Sequence, residues 1–506
     1  MPVSKEENWG PFLTLGAWAG ICILTLFPYQ LLPNETAIKR QAAFFLLYFE
    51  KTPALWDMAL NTLLFVPFGF ALGLWLRKRV SWFSALVATG VASFAFTFSI
   101  ETLQLYEPTR TSSWYDVATN SMGGLVGFAG SRFCAAGVER ALRRGRDWIT
   151  ASARHWKLGA AFAAVVLMGI AGSVWLGRAA MLRNWDASYP LCVGNFPDGR
   201  GAWQGEVREI GIASTALGGR DAAKVFEQGF EEAVGSRVVA YYRTGSSAET
   251  PDAAGISPPL VWKPAARETA ESAAKFEENG PWLESNGPAE KIAEAARRTN
   301  QFSLYVNFSS KHMMEAGDHA IVGMCRDEEH CNFLLMHYYT SVVARIRTRI
   351  TGDAGEISDY HQRMMIQENL THRILITYDG ATMRMYADGK EAGPAMELGA
   401  AANFFRHLHA LGQYQENGYK TLYYALLFVP VGWILWLEGV KVKSVKGAWW
   451  GAALLAPVAL EGALTWLCRR PFQAENIGLG IFWAAAAFAF LQFTVPTNEI
   501  QSPDAN

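Results

Sequence analysis

The sequence predicts a polytopic α-helical membrane protein of about eight spans that carries an all-β domain as an insert. Three observations carry this. Long apolar runs crowd roughly the first 176 and the last 90 residues of a 506-residue chain that is 51% hydrophobic. Each run approaches or exceeds the length of about 20 residues that crosses a bilayer. The stretch between them is polar and alternates in period two, the pattern of half-buried strands.

The helices follow in order. Pro11 to Leu32 is the first apolar run, too long for a signal peptide and lacking a small-residue cleavage site. An amphipathic piece, AAFFLLYFE, follows before Pro53 and suits a membrane surface. Leu55–Leu76, Trp82–Leu105 and Asp116–Ala136 are the next spans. Residues 10–136 thus form a four-helix membrane domain, 137–157 a basic loop and 158–176 a fifth span. The insert occupies 177–417, three further spans occupy 418–494, and 495–506 is a tail. Cytoplasmic loops are enriched in Lys and Arg. The clusters Arg77–Arg79, Arg140–Lys157 and Lys441–Lys446 all fall inside if both termini are cytoplasmic. The insert then faces outward. Arg110 and Arg469–Arg470 also face outward, against the charge bias, and need another reason to be there.

Polar residues mark the candidate site. Glu101, Gln104, Arg110, Asp116 and Asn120 stand where an ordinary span carries Leu or Val. Ionisable groups at membrane depth are costly and mark functional sites by default. Asp116, Asn120, Gly123 and Gly127 share one helix face, and the two glycines admit a close neighbour. Asn61 precedes Pro67 and Gly69, which loosen their helix. The cluster is either a pocket for a ligand, with Arg110 neutralising a carboxylate, or polar packing between helices.

The stretches NTLLFVPFG, IETLQLYEPTR and YDVATNSMGG resemble the VanZ-like membrane family over about residues 10–136. The family pattern is an Asn before LF-x-P-x-G, then E-x-x-Q, an Arg, and D-x-x-x-N-x-x-G. It falls on Asn61, Pro67, Gly69, Glu101, Gln104, Arg110, Asp116, Asn120 and Gly123. The resemblance implies a cell-envelope role, since the family is linked to glycopeptide (teicoplanin) resistance.

The last spans echo the first. YALLFVPVG at 424–432 parallels NTLLFVPFG at 61–69, and Glu461 and Arg470 parallel Glu101 and Arg110. Asn476 is paired with Asn120 by residue type. That alignment makes the second loop about four residues shorter and leaves no partner for Asp116. Tyr424 replaces Asn61 and Leu464 replaces Gln104. The second copy is therefore a degenerate half, depleted in polar groups.

Within the insert, FSLYVNF, NFLLMHYY, VVARIRTRI and RILITYDG read as strands. Arg345, Arg347 and Arg349 alternate on one face, which is solvated, paired, or open to an anionic ligand. Lys263–Asn300 reads as a surface helix or loop. Cys325 and Cys331 flank RDEEH; a local disulfide and two free thiols are both open. Eight histidines crowd the insert without a metal-ligand spacing, and no acidic cluster has Ca²⁺ spacing, so no cofactor is expected. ITYDGATMRMYADGKEAG resembles the hairpin of laminin-G-like, concanavalin-A-like sandwiches. Residues 193–226 resemble that superfamily's closing strand, placed ahead of the opening strand at 238–262. The resemblance implies a circularly permuted jelly-roll with a glycan or protein ligand.

Net charge is -1, so nothing argues for nucleic acid. Two functions remain. One is a membrane-anchored, lectin-like module that binds an envelope glycan or protein. The other is a membrane enzyme or transporter-like protein acting on a lipid-linked or amphiphilic molecule at Glu101, Arg110 and Asp116.

Overall fold

The computed structural model describes residues 10–26, 55–77, 79–106, 112–152, 155–245, 247–264, 273–278, 280–356, 360–362, 366–393, 395–406, 418–441 and 446–494. The chain divides into two compact units: Met1–Phe162 with Trp433–Gly447 and Ala486–Asn506, and Ala163–Gly432 with Ala448–Ala485.

The first unit is built on α1 (Gly10–Leu26), α2 (Leu55–Leu76), α3 (Trp82–Gln104) and α4 (Trp114–Ser152). Ser81 starts α3: its hydroxyl accepts from Ser84 N at 3.2 Å, satisfying one of the orphan amides of a first turn. α2 and α4 run side by side in the same direction. Their contact is made by glycines, since a Cβ on Gly69 would overlap the Gly124 carbonyl, and one on Gly123 the Thr62 carbonyl. Phe65 and Phe68 pack on Phe96, with centroids 5.4 and 5.2 Å apart. Arg77 Nη2 donates to Glu139 Oε1 at 2.6 Å and ties the far ends of α2 and α4. The basic stretch expected as a loop over 137–157 is instead helical to Ser152. Its Ala, Arg and Glu content favours continued helix.

Among the described residues, six helical segments are long and apolar enough to cross a membrane: Asp57–Leu76, Trp82–Gln104, Trp156–Asn184, Lys420–Gly439, Gly447–Cys468 and Ala474–Gln492. The two other expected spans fall on α1, which has 17 described residues, and on α4, which carries charge.

The second unit holds a β-sandwich and parts of α5 (His155–Arg178), α10 (Gly418–Lys441), α11 (Lys446–Cys468) and α12 (Ala474–Thr494). One sheet has the order β12-β11-β10-β9-β1-β7-β5-β4, the other β15-β14-β13-β8-β2-β3, and every pairing is antiparallel. Here β1 is Leu191–Val193, β2 Gly205–Ala213, β3 Val238–Arg243, β4 Glu249–Thr250, β5 Leu260–Lys263 and β7 Trp282–Ser285. Then come β8 Phe302–Ser310, β9 Glu315–Asp327, β10 His330–Tyr339, β11 Ser341–Ile346 and β12 Tyr360–Gln362. β13 is Thr371–Tyr378, β14 Thr382–Ala387 and β15 Lys390–Glu391; β6 (Ala274–Phe276) and β16 (Met396–Glu397) pair with β2 and β14.

Phe302, Leu304, Val306 and Phe308 of β8 point between the sheets, among Trp185, Trp203 and Phe333. The opposite face of β8 is also covered. Tyr305 packs under Val225 and Phe226 of α6 (Gly219–Gln228) and Phe230 of α7 (Phe230–Val234). Lys263–Asn300 corrects the surface reading. It supplies β6, β7 and α8 (Glu290–Thr299), whose Ile292, Ala293 and Ala296 enter the main core. Alanine made the stretch look weakly apolar, yet its small side chain is what lets a helix sit this close.

The sandwich is fixed to the helices of its own unit. Asn300, in the left-handed region at φ 59°, donates from Nδ2 to the Cys468 carbonyl at 2.8 Å and accepts from Leu182 N at 2.9 Å. Gly380, at φ +95°, lies where a Cβ would stand 3.0 Å from the Arg469 carbonyl. Asn403 of α9 (Ala400–Arg406) donates from Nδ2 to the Leu176 carbonyl at 3.0 Å. Lys420 bridges Glu397 of β16 and Glu475 of α12 at 2.8 and 3.0 Å.

Candidate functional site

The polar cluster of the first unit is organised by one buried face of α3. Thr89, Ser93, Thr97, Glu101 and Gln104 are all buried there. Small polar residues at every fourth position, Thr89, Ser93 and Thr97, are the sequence signal of this face. Asn120 Nδ2 donates to Thr97 Oγ1 at 2.9 Å. Gln104 Nε2 donates to the Thr25 carbonyl at 2.8 Å, joining α3 to α1. Asn61 Nδ2 donates to Asp116 Oδ1 at 2.6 Å, joining α2 to the start of α4. Glu101 Oε2 accepts from Ser113 N at 3.0 Å, and Ser113's neighbour Ser112 donates its hydroxyl to the Glu101 carbonyl at 2.7 Å. Arg110 lies outside the described residues.

The second unit repeats this device. Glu461 Oε1 accepts from Gln473 N at 2.8 Å, twelve residues on, the same separation as Glu101 to Ser113. Asp116 N then donates to the Ser113 carbonyl at 3.2 Å, and Asn476 N to the Gln473 carbonyl at 3.1 Å. The glutamate-to-amide spacing is therefore the same in both copies, while the connection between helices is shorter in the second, from Cys468 to Ala474 against Gln104 to Trp114. Asn476 occupies the position of Asp116, and Gly480 that of Asn120, which corrects the alignment by residue type. The contacts agree: Thr97 meets Asn120 in the first copy, and a Cβ on Gly480 would lie 2.7 Å from Pro457 Cβ in the second. Arg470 Nη2 donates to Glu461 Oε2 at 2.6 Å, and Asn476 Nδ2 to the same oxygen at 3.1 Å.

Glu101, Asp116 and Glu461 each hold a donor from a loop or a neighbouring helix. Such an arrangement fastens a helix–loop–helix, because a buried carboxylate is tolerated only when its lone pairs are met.

In the sandwich, Cys325 and Cys331 are joined as a disulfide across the β9–β10 hairpin, both fully buried. Arg345 pairs with Asp318 at 2.9 Å, and Arg347 with Asp353 at 2.7 Å. Those two arginines are thus paired within the sandwich, while Arg349 lies beyond the end of β11. His407 and His409 lie outside the described residues, as does the side chain of His361. Among the described residues no group of three or more His, Cys, Asp or Glu is placed to hold a metal. A groove of about 650 Å³ is lined by Ser214, Ser236, Ile256, Lys291, Glu294 and Arg297, among others.

His337 is fully buried in β10, directly opposite His319 of β9, and its Nδ1 lies 3.3 Å from Ser310 Oγ. Burial pushes its imidazole down to about 4, and His319 and His312 nearby act in the same direction. The unfolded chain takes up this proton near pH 6.5, while the fold refuses it until about pH 4. Stability is therefore fully present above 6.5 and falls as pH drops toward 4, by about 3 kcal/mol from this group. Thermal unfolding of wild type and His337→Gln between pH 7 and 4.5 should show the wild type losing more. Parallel pH profiles would refute the assignment.

Fold and site together define a multi-pass helical membrane protein with a β-sandwich insert and two copies of a glutamate-fastened helix–loop–helix. Residues 12–135 match the VanZ/LLP1 family model, and this N-terminal region is VanZ-like. The match leaves the insert and the second copy outside it. No curated protein sequence and no solved structure matches the chain.

Proposed function

We propose that this is a cell-envelope protein of a bacterial inner membrane that holds its β-sandwich outside the cell membrane and binds an envelope glycan there. Both termini are then cytoplasmic, which puts all three basic clusters inside. The buried Cys325–Cys331 disulfide supports an oxidising, extracytoplasmic side for the insert. β2 and β3 lie side by side in one sheet, as a permuted laminin-G-like sandwich requires of its closing and opening strands.

The groove beside α8 carries the ligand reading. It offers hydroxyls at Ser214 and Ser236, the exposed Lys291–Glu294 ion pair at 2.9 Å, and an apolar face at Ile256. Sugars need this mixture of hydrogen-bonding edges and apolar contact. A role for Glu101, Arg110 and Asp116 in catalysis or transport is the weaker reading, because Glu101 and Asp116 already hold donors from their own unit.

The test is a screen of envelope polysaccharide and peptidoglycan fragments against the full chain in lipid nanodiscs. Retention of a defined subset is expected, and Ser236→Trp, which fills the groove, should abolish it. Retention of no fragment, or equal retention by the filled variant, would sink the glycan reading.

A further inference from the structure

Two helix ends in the second unit carry the same four-residue pattern. α5 ends in Trp175-Leu176-Gly177-Arg178, and α11 ends in Trp466-Leu467-Cys468 with Arg469 next. The small third residues are where the ends meet. A Cβ on Gly177 would stand 2.9 Å from Cys468 Sγ, and that thiol donates to the Val174 carbonyl at 3.7 Å. The two patterns therefore lie at the same depth.

Their residues divide by direction. Leu176 is buried, and its carbonyl is taken by Asn403. Trp175 and Trp466 are 69% and 80% exposed, although each belongs to a segment apolar enough to span a membrane. Tryptophan at the end of a span sits at the headgroup level. Arg178 and Arg469 follow three residues later, about 4.5 Å further along the axis and on nearly the same face. Both are exposed, and neither has a carboxylate within ion-pair distance among the described residues. Arg183 is exposed beside them, and it and Arg178 both reach the Cys468 thiol electrostatically. Arg469 is itself held in place: it adopts φ 50°, and its Nη1 donates to the Arg298 carbonyl. This leaves the other guanidinium donors for a ligand.

We propose that the paired Trp-Leu-small-Arg ends form a site for the phosphate of an anionic lipid headgroup, in the leaflet on the side of the β-sandwich. Guanidinium matches phosphate in a two-pronged fork, and the exposed indoles supply the apolar contact that acyl chains complete. A free phosphate ion would satisfy the arginines but leave both tryptophans without a partner. The site also accounts for arginines on the face of the membrane where loops are ordinarily poor in them. It stands apart from the glycan groove and does not depend on it.

The experiment measures retained lipid by native mass spectrometry, using the full chain reconstituted in phosphatidylcholine with and without phosphatidylglycerol. Wild type should retain phosphatidylglycerol selectively. Arg178→Gln/Arg469→Gln should lower that selectivity by roughly thirtyfold, as expected for two guanidiniums at a membrane surface. Arg178→Lys/Arg469→Lys, which keeps the charge and loses the fork, should fall between the two and guards against misfolding of the glutamine variant. Equal retention by wild type and both variants would overturn the site. Displacement by glycerol phosphate as readily as by lipid would overturn the lipid assignment.

Discussion

Arg470→Met should cost the protein about 3–5 kcal/mol of unfolding free energy, because it strands Glu461 in the second unit. Glu461 is 1% exposed and its Oε2 lies 2.6 Å from Arg470 Nη2. Without the guanidinium, that carboxylate keeps only the Gln473 amide and the Asn476 side chain. These two neutral donors do not balance a buried charge. The double variant Glu461→Gln/Arg470→Met removes both charges and leaves the Gln473 amide an acceptor. It should recover most of the loss, since a buried pair is worth little net of its desolvation. Chemical denaturation of the four-member cycle in micelles measures both numbers. A single variant as stable as wild type would show that Glu461 does not depend on Arg470.

The Glu461–Arg470 pair was legible in the sequence, because the echo of NTLLFVPFG at 424–432 pointed to the next Glu and Arg. Asn476 matches Asn120 by name, but the hydrogen bond from Gln473 N to Glu461 places it with Asp116. The Glu-to-Arg spacing, the same in both copies, points to that register when continued without a gap. The helices were legible through hydropathy, and β8, β10, β13 and β14 through alternation, since both signals are local. β6 and β7 were missed because they are 3 and 4 residues long and are held by distant partners. The partners of Arg345 and Arg347, at Asp318 and Asp353, come from other segments and leave no trace in the alternation itself. The mounting of the sandwich was likewise invisible, because Asn300, Gly380 and Arg469 meet from segments far apart in the sequence.

Gly69→Val should cost about 3 kcal/mol, toward the upper end for overpacking, because the obstacle is backbone. A side chain that meets another side chain can be accommodated by a rotamer change. The added Cβ at Gly69 would land on the Gly124 carbonyl, so α2 and α4 must separate. The consequence extends along both helices. Asn61 and Asp116 each lie eight residues before that contact, and their 2.6 Å hydrogen bond depends on the same spacing. Separation would loosen the bond and open the polar cluster at the end where α4 begins. Gly90 is the internal comparison. A Cβ there would meet only Leu125 Cδ2, at 3.4 Å. Gly90→Ala should therefore stabilise α3 by up to about 1 kcal/mol through helix propensity alone. Thermal unfolding of the two variants in the same micelles should move in opposite directions. If Gly69→Val unfolds with wild type, α2 and α4 do not meet through that glycine, and the cluster between Asn61 and Asp116 must be positioned by the α3 face alone.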